Sequence, residues 1–139
     1  MIGPCIPQHL LQPNKKQKLK IIDLGTGSGC IAITLAKDYK NSTIFANDIS
    51  SSALEVAKTN SKKFNIFNRI KFLCCDWIEI NEVFDVIVAN PPYLTANEYD
   101  NVSKDIKEYE PKIALLGGKD GLSSYRQLAY ILPKITHLK

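Results

Sequence analysis

Apolar positions along this chain fall into two kinds of run. Lys20 to Leu24 is continuous in apolar character apart from its ends, which fits a parallel strand buried on both faces. Ser42 to Asn47 alternates, with Ile44 and Ala46 on one side and Thr43 and Phe45 on the other, and reads as a second strand that stops at Asp48. Ile70 to Cys75 and Phe84 to Ala89 make a third and a fourth, ending at Asp76-Trp77 and at Asn90. Between the strands the spacing turns helical. Ile31, Ile33, Leu35 and Ala36 mark a helix after Gly29 that fades at Asp38 to Asn41. Ala53, Leu54, Val56 and Ala57 supply the apolar face of another, with Ser50 to Ser52 as candidate N-caps and Ser52 with Glu55 as a capping box. Residues 94 to 118 are polar and read as a loop with a short helix, and Gly117, Gly118 and Gly121 punctuate the chain there. Leu122, Tyr125, Leu128, Ala129 and Leu132 then recur at helical spacing, stopping around Pro133, with no further strand expected.

Strands alternating with helices predict right-handed βαβ units, hence an α/β fold on a parallel sheet. In such sheets ligands bind outside the carboxyl ends of the strands. Those ends carry Asp23 with a glycine-rich turn, then Asp48, Asp76 with Trp77, and Asn90-Pro-Pro-Tyr93. All are expected to converge on one edge. The fourth strand is apolar on both faces (Val86, Ile87, Val88) although it is the last, whereas natural edge strands are short, charged or covered. A further edge, supplied by a complementary fragment, is therefore expected.

Composition narrows this only slightly. A chain of 139 residues with 45% apolar and 23% charged content suits one globular domain. Residues 1 to 18, with Pro4, Pro7 and Pro13, read as a loosely ordered leader, and 19 to 139 as the domain. The net charge of +4 owes much to Lys15, Lys16, Lys18 and Lys20, either a solvated lead-in or a patch that touches RNA. Of the cysteines at 5, 30, 74 and 75, Cys30 and Cys74 fall in apolar patterns and are expected to pack as small hydrophobes in a reducing compartment. His9 and His137 lack ligand spacing, so no metal site is expected. No apolar run approaches the roughly 18 residues that span a bilayer, and no signal-peptide core opens the chain. The default location is cytoplasmic.

The chemistry lies in two stretches. Asp23-Leu-Gly-Thr-Gly-Ser-Gly29 leaves the first strand. Gly25, Gly27 and Gly29 allow a tight turn and close ligand approach around Thr26. The helix beyond aims unpaired N–H groups at that ligand. The spacing is G-x-G-x-G, whereas dinucleotide folds use G-x-G-x-x-G, and here Cys30 stands at the third dinucleotide position. A carboxylate beside the turn repels a pyrophosphate but accepts from an ammonium, which points to S-adenosylmethionine. Asp48 suits two ribose hydroxyls, and Asp76 and Trp77 suit an adenine amino group and ring face. Each residue also has a plainer reading: Asp23 as a cap for the helix turn, Asp48 as an N-cap, Trp77 as core.

In the second stretch, Pro91 and Pro92 fix the backbone and remove two donors. The carbonyls of Asn90 and Pro91 and the Asn90 amide oxygen can accept the two hydrogens of an –NH₂ group, while Tyr93 offers a ring face. An amide nitrogen is a poor nucleophile because its lone pair is delocalised. Acceptors that draw its protons out of plane favour the transition state for methylation over the ground state. The plainer reading is a strand-ending turn.

Together these motifs resemble the class I, S-adenosylmethionine-dependent N-methyltransferases. The segment Glu110 to Leu122, followed by Tyr125-Arg126, is similar to the HemK/PrmC family, which methylates the glutamine of the Gly-Gly-Gln motif in peptide chain release factors. The resemblance covers roughly residues 19 to 133. It implies a Rossmann-like class I methyltransferase sheet and N5-methylation of a release-factor glutamine. It also implies cofactor contacts from Gly25, Gly27, Asp48 and Trp77, with Asn90, Pro91 and Tyr93 holding the amide. Family members add an N-terminal helical domain, an Arg-Pro-x-Thr-Glu segment and three more strands; this chain does not reproduce them, so a truncated or split-gene product, active or inactive, is the corollary. The alternative substrates are a nucleobase amine, taken out of its stack, or a ribosomal-protein glutamine.

Overall fold

A computed structural model describes residues 15–103, 107–108 and 112–137. Most of the expected leader, Cys5, and the Glu110-Pro111 start of the family-like segment lie outside the described residues. The chain divides into two compact units, one comprising residues 1–89 and 135–139, the other residues 90–134.

The first unit is a parallel sheet of four strands in the order β3-β2-β1-β4. They are β1 (Lys20–Leu24), β2 (Thr43–Asp48), β3 (Ile70–Cys74) and β4 (Val86–Ala89). Register is in step across the sheet: Leu24 pairs with Asn47 on one side and Ala89 on the other, and Asp48 pairs with Cys74. The strands therefore end together, as the α/β reading requires. Burial explains the unbroken apolar run of β1, since Ile21, Ile22 and Leu24 are all sealed from solvent.

Two helices, α1 (Cys30–Asp38) and α2 (Ser51–Lys63), follow β1 and β2. Ala32, Ile33, Leu35 and Ala36 of α1 join Ile21, Ile44, Ala46 and Ile70 of the strands in one core. Phe45 points to the other face, where its ring meets that of Phe84 edge-on at 5.1 Å. Arg69 closes the C-terminus of α1. Its guanidinium donates to the carbonyl of Ala36, to that of Tyr39 at 3.0 Å and to that of Lys40 at 2.9 Å, satisfying acceptors that a helix end leaves orphaned.

Several sequence expectations change. Of the candidate caps Ser50 to Ser52, Ser50 is the one that caps α2, its hydroxyl accepting from Ala53 N–H at 3.2 Å. Ser52 lies inside the helix and Glu55 pairs with Lys58 at 2.7 Å, so no Ser52–Glu55 box forms. Val56 is exposed and Ser61 takes a buried place, its hydroxyl satisfied by the Lys58 carbonyl at 2.7 Å. Cys74 is exposed because β3 is the outer strand and only Ile70 of it is buried. The ladder of β4 begins at Val86, and Phe84 instead makes an isolated parallel bridge with Thr136, its N–H bonded to the Ile135 carbonyl at 2.8 Å. After the last helix the described residues make this single bridge and no strand. The end of the expected leader is tied down as well: Asn41 donates to the Lys16 carbonyl at 3.1 Å, and Ser42 to that of Gln17 at 3.2 Å.

The second unit holds α3 (Ala96–Asp100) and the helices Lys112–Leu115 and Ser123–Ile135, the last of which ends in the first unit. Thr95 and Glu98 form a reciprocal capping box on α3. Ser123–Ile135 runs through Pro133 rather than stopping there. A proline this close to the end removes one backbone bond from a turn that is about to finish.

Candidate functional site

The carboxyl edge of the sheet in the first unit is built around the β1–α1 turn. Gly25, Gly27 and Gly29 have φ of 70°, 55° and 82°, the left-handed region that a side chain resists. Two bonds stitch the turn to the end of β2: Thr26 N–H to the Asn47 carbonyl at 2.8 Å, and Gly27 N–H to Asp48 Oδ2 at 2.9 Å. The other Asp48 oxygen accepts from Ser50 N–H at 2.9 Å. Asp48 therefore joins the glycine turn to the start of α2, while the capping itself falls to Ser50.

Asp23 is 1% exposed. Its Oδ2 accepts from Thr26 Oγ1 at 2.6 Å and from Ala32 N–H at 3.1 Å. Ala32 is the third residue of α1, whose own N-cap, Gly29, has no side chain to offer. Asp23 thus caps the helix from the strand before it, the plainer of its two sequence readings. Burial pushes its carboxyl up to about 6, against the pull of the Thr26 and Ala32 hydrogen bonds, and the Asp48 charge adds to the rise.

The glycines serve different ends. A Cβ on Gly27 would meet no atom within 4 Å, so the space over the middle of the turn is open. A Cβ on Gly25 would lie 3.6 Å from Trp77 Cζ2; the indole is the wall beside the turn, and it is partly exposed rather than core. On Gly29 the Cβ would fall 2.9 Å from the Cβ of Ala57, which makes this glycine the contact that lets α1 and α2 approach. Asp76 caps the short turn Trp77–Glu79, accepting from Ile78 N–H at 3.2 Å, and its own N–H donates to Glu79 at 2.7 Å.

Sequence reasoning missed Asn47. Its side-chain N–H₂ donates to the carbonyls of Leu73 at 3.3 Å and Cys75 at 2.9 Å, fixing the end of β3 to the end of β2. The Asn47 Oδ1 is buried without a partner. An asparagine at a fully buried inward position of a strand was the available signal, because a buried amide is retained where it satisfies backbone. An open hollow lined by Lys18, Lys20, Lys71, Glu82 and Asp85 lies at the opposite, amino end of the strands.

In the second unit, Asn90 follows β4 directly. Asn90 and Tyr93 are exposed, Pro91 is buried and Pro92 half-buried. Behind the turn, Leu94 N–H bonds the Leu115 carbonyl and Gly117 N–H bonds that of Leu94, both at 2.9 Å. The turn is thereby held against a second strand of backbone.

The sequence matches the family model of a methyltransferase domain over residues 15–117. A bifunctional methyltransferase of Rickettsia conorii is 40% identical over 130 residues, which is 91% of this chain and 25% of that protein. The release factor glutamine methyltransferase of Bacillus anthracis is 40% identical over 127 residues, 88% of this chain and 44% of the relative. The chain thus spans between a quarter and under half of these relatives' length. PKMT2 from Rickettsia typhi, solved in complex with AdoHcy, superposes over 86% of this chain and 19% of its own, with a TM-score of 0.57 at 18% identity, a likeness of fold.

Proposed function

The chain belongs to the methyltransferase-domain family, and from that premise we propose that it takes S-adenosylmethionine and methylates the side-chain nitrogen of a protein glutamine, that of the Gly-Gly-Gln motif of a release factor. One observation carries the cofactor half: a left-handed glycine turn flanked by two carboxylates, Asp23 and Asp48, with open space over Gly27. Anionic groups at that place disfavour a pyrophosphate and suit a ligand carrying a sulfonium and an ammonium. The residues fit such a ligand. Gly25, Thr26 and Gly27 form the floor, Asp48 offers acceptors for ribose hydroxyls, and Trp77 with Asp76 borders the adenine. Asp23 acts by holding Thr26 and α1 in place, and Gly29 by letting the helices close.

When bound, S-adenosylmethionine supplies an electrophilic methyl group. The chain's own part is to bind and orient the amide. The Asn90 side chain and the Pro91 carbonyl accept the two hydrogens of the glutamine –NH₂, and the exposed Tyr93 ring packs on the flat amide. Two rigid acceptors fix the nitrogen and the direction of its lone pair, and orientation of a reacting group is worth several powers of ten. The cofactor would supply the methyl group and leave with the electron pair of its sulfur–carbon bond, and the amide nitrogen would shed one proton to solvent. The 40% identity to a release factor glutamine methyltransferase supports this substrate class.

The test is transfer of a labelled methyl group from S-adenosylmethionine to a release factor, to the same factor with its Gly-Gly-Gln glutamine replaced by alanine, and to RNA. Label on the first alone is the expected result. Label on RNA, or equal label on both factors, overturns the proposal.

A further inference from the structure

Three glycines of the second unit, all within the Glu110 to Leu122 segment, have been given no role above, and they differ in what they exclude. Gly118 has φ of 88° and faces the Ser123 side chain. Gly121 has φ of 75°, and a Cβ there would collide with the carbonyl oxygen of Tyr93. Gly117 has no positive φ, so no torsional need makes it glycine. A Cβ on Gly117 would stand 2.7 Å from the Pro92 carbonyl oxygen and 2.5 Å from that of Gly121. Both neighbours are backbone atoms, which cannot swing aside as a side chain would. Gly117 and Gly121 are buried. Gly117 also donates its N–H to the Leu94 carbonyl and accepts from Ser123 N–H, each at 2.9 Å. Outside this crossing, Asp120 binds Arg126 through two bonds of 3.0 and 2.6 Å and accepts from Leu122 N–H at 3.1 Å, which closes the loop onto the helix that follows.

From this crossing we infer that Gly117 and Gly121 are positioning residues for the Asn-Pro-Pro-Tyr turn: their missing side chains let the backbone of residues 117–121 press on the Pro92 and Tyr93 carbonyls and fix the direction of the acceptors just before them. The inference rests on the proposed reading of that turn as the holder of the glutamine amide. Its physical basis is rigidity. Pro91 and Pro92 fix φ, and Pro92 narrows the ψ of Pro91, but the ψ of Pro92 has no following proline to restrict it, and ψ decides where a carbonyl points. Backbone packed at closest approach on the next two carbonyls removes that freedom. A displacement of about 1 Å in an acceptor is enough to cost roughly a hundredfold in rate.

The experiment compares Gly117→Ala with Gly118→Ala, which strains the same loop against a side chain away from the turn. Gly117→Ala is expected to lower kcat toward a release factor at least tenfold, with S-adenosylmethionine affinity within twofold of the parent. Gly118→Ala is expected to keep kcat within threefold. A Gly117→Ala protein with parental kcat, or one losing cofactor affinity in step with kcat, overturns the inference. If the parent protein methylates no glutamine, the proposed function fails on that ground alone, and the positioning role is read by NMR. Gly117→Ala must then shift the Tyr93 and Leu94 amide signals and the Asn90 side-chain signals, which Gly118→Ala leaves in place; unmoved signals overturn it. Should Gly117→Ala not fold, hydrogen exchange in the parent decides. Leu94 and Gly117 amides exchanging together at least a hundredfold slower than an open chain support the crossing, and exchange at the open-chain rate overturns it.

Discussion

Asp23 holds the turn at an electrostatic cost. Its carboxyl lies near 6 instead of 3.8 because burial disfavours the charged form more than two hydrogen bonds favour it. The folded state therefore binds this proton more tightly than the unfolded state does. The stabilising contribution is complete below about pH 4 and is lost as pH rises through about 6. The shift from 3.8 to about 6 corresponds to about 3 kcal/mol at full ionisation. Urea melts of the parent and Asp23→Asn between pH 4 and 7.5 isolate it, since asparagine can accept both bonds without the charge. The difference in unfolding free energy, parent minus variant, is expected to fall as pH rises; a flat difference contradicts this account of Asp23. The glycines give a second contrast. Gly27→Ala puts its Cβ into open space and costs only the left-handed strain, about 1 kcal/mol. Gly29→Ala adds overlap with Ala57, for a further 1–3 kcal/mol or so. Thermal melts are expected to show Gly29→Ala as the less stable. A binding titration is expected to show Gly27→Ala as the one that loses S-adenosylmethionine while still folded.

At the scale of elements, the strand ends matter more than the strands. Asn47 shows why: one amide links β2 to the last residues of β3 through the Leu73 and Cys75 carbonyls. Asn47→Leu removes both donors and leaves those carbonyls unpaired beside an apolar group. A loss of about 2–3 kcal/mol is expected in a denaturant melt. The strands were legible in the sequence because a short continuous run such as Ile21-Ile22, bounded by a glycine turn, suits a strand buried on both faces, and β1 was placed to the residue. The helix starting after Gly29 was legible because its glycine turn precedes it. Less legible were features decided by a partner distant in sequence. Which of the serines 50 to 52 caps α2 is one: it is Ser50, whose own N–H is held by Asp48. Val56 is exposed while Ser61 is buried, because contact with the sheet rather than hydropathy selects the face of α2. Of the candidate site, the glycine turn and the place of Asp48 at the end of β2 were legible from position alone. That Asp23 caps α1, and that Gly29 serves packing, required knowing which atoms lie across from them.

At the scale of the whole molecule, the residues proposed to hold the cofactor belong to the first unit, whereas Asn90 to Tyr93 belong to the second. On the proposed function the two tasks are therefore separable by substitution. Asp48→Ala removes the proposed acceptor for ribose hydroxyls and the clamp on Gly27 N–H. Tyr93→Ala removes an exposed ring from the second unit and leaves every bond of the glycine turn intact. A ligand held only by the folded state at a hundred times its Kd stabilises that state by about 2.7 kcal/mol, a melting shift of several degrees for a chain of this size. S-adenosylmethionine is expected to raise the melting temperature of the parent and of Tyr93→Ala alike, and to leave Asp48→Ala unmoved. Methyl transfer to a release factor is expected to fall in both variants: in Asp48→Ala through loss of cofactor, in Tyr93→Ala through a raised KM for the protein substrate, because a ring lost from the amide's face weakens binding of that group alone. Equal loss of cofactor-induced stabilisation in the two variants would show that the division of labour between the units does not hold.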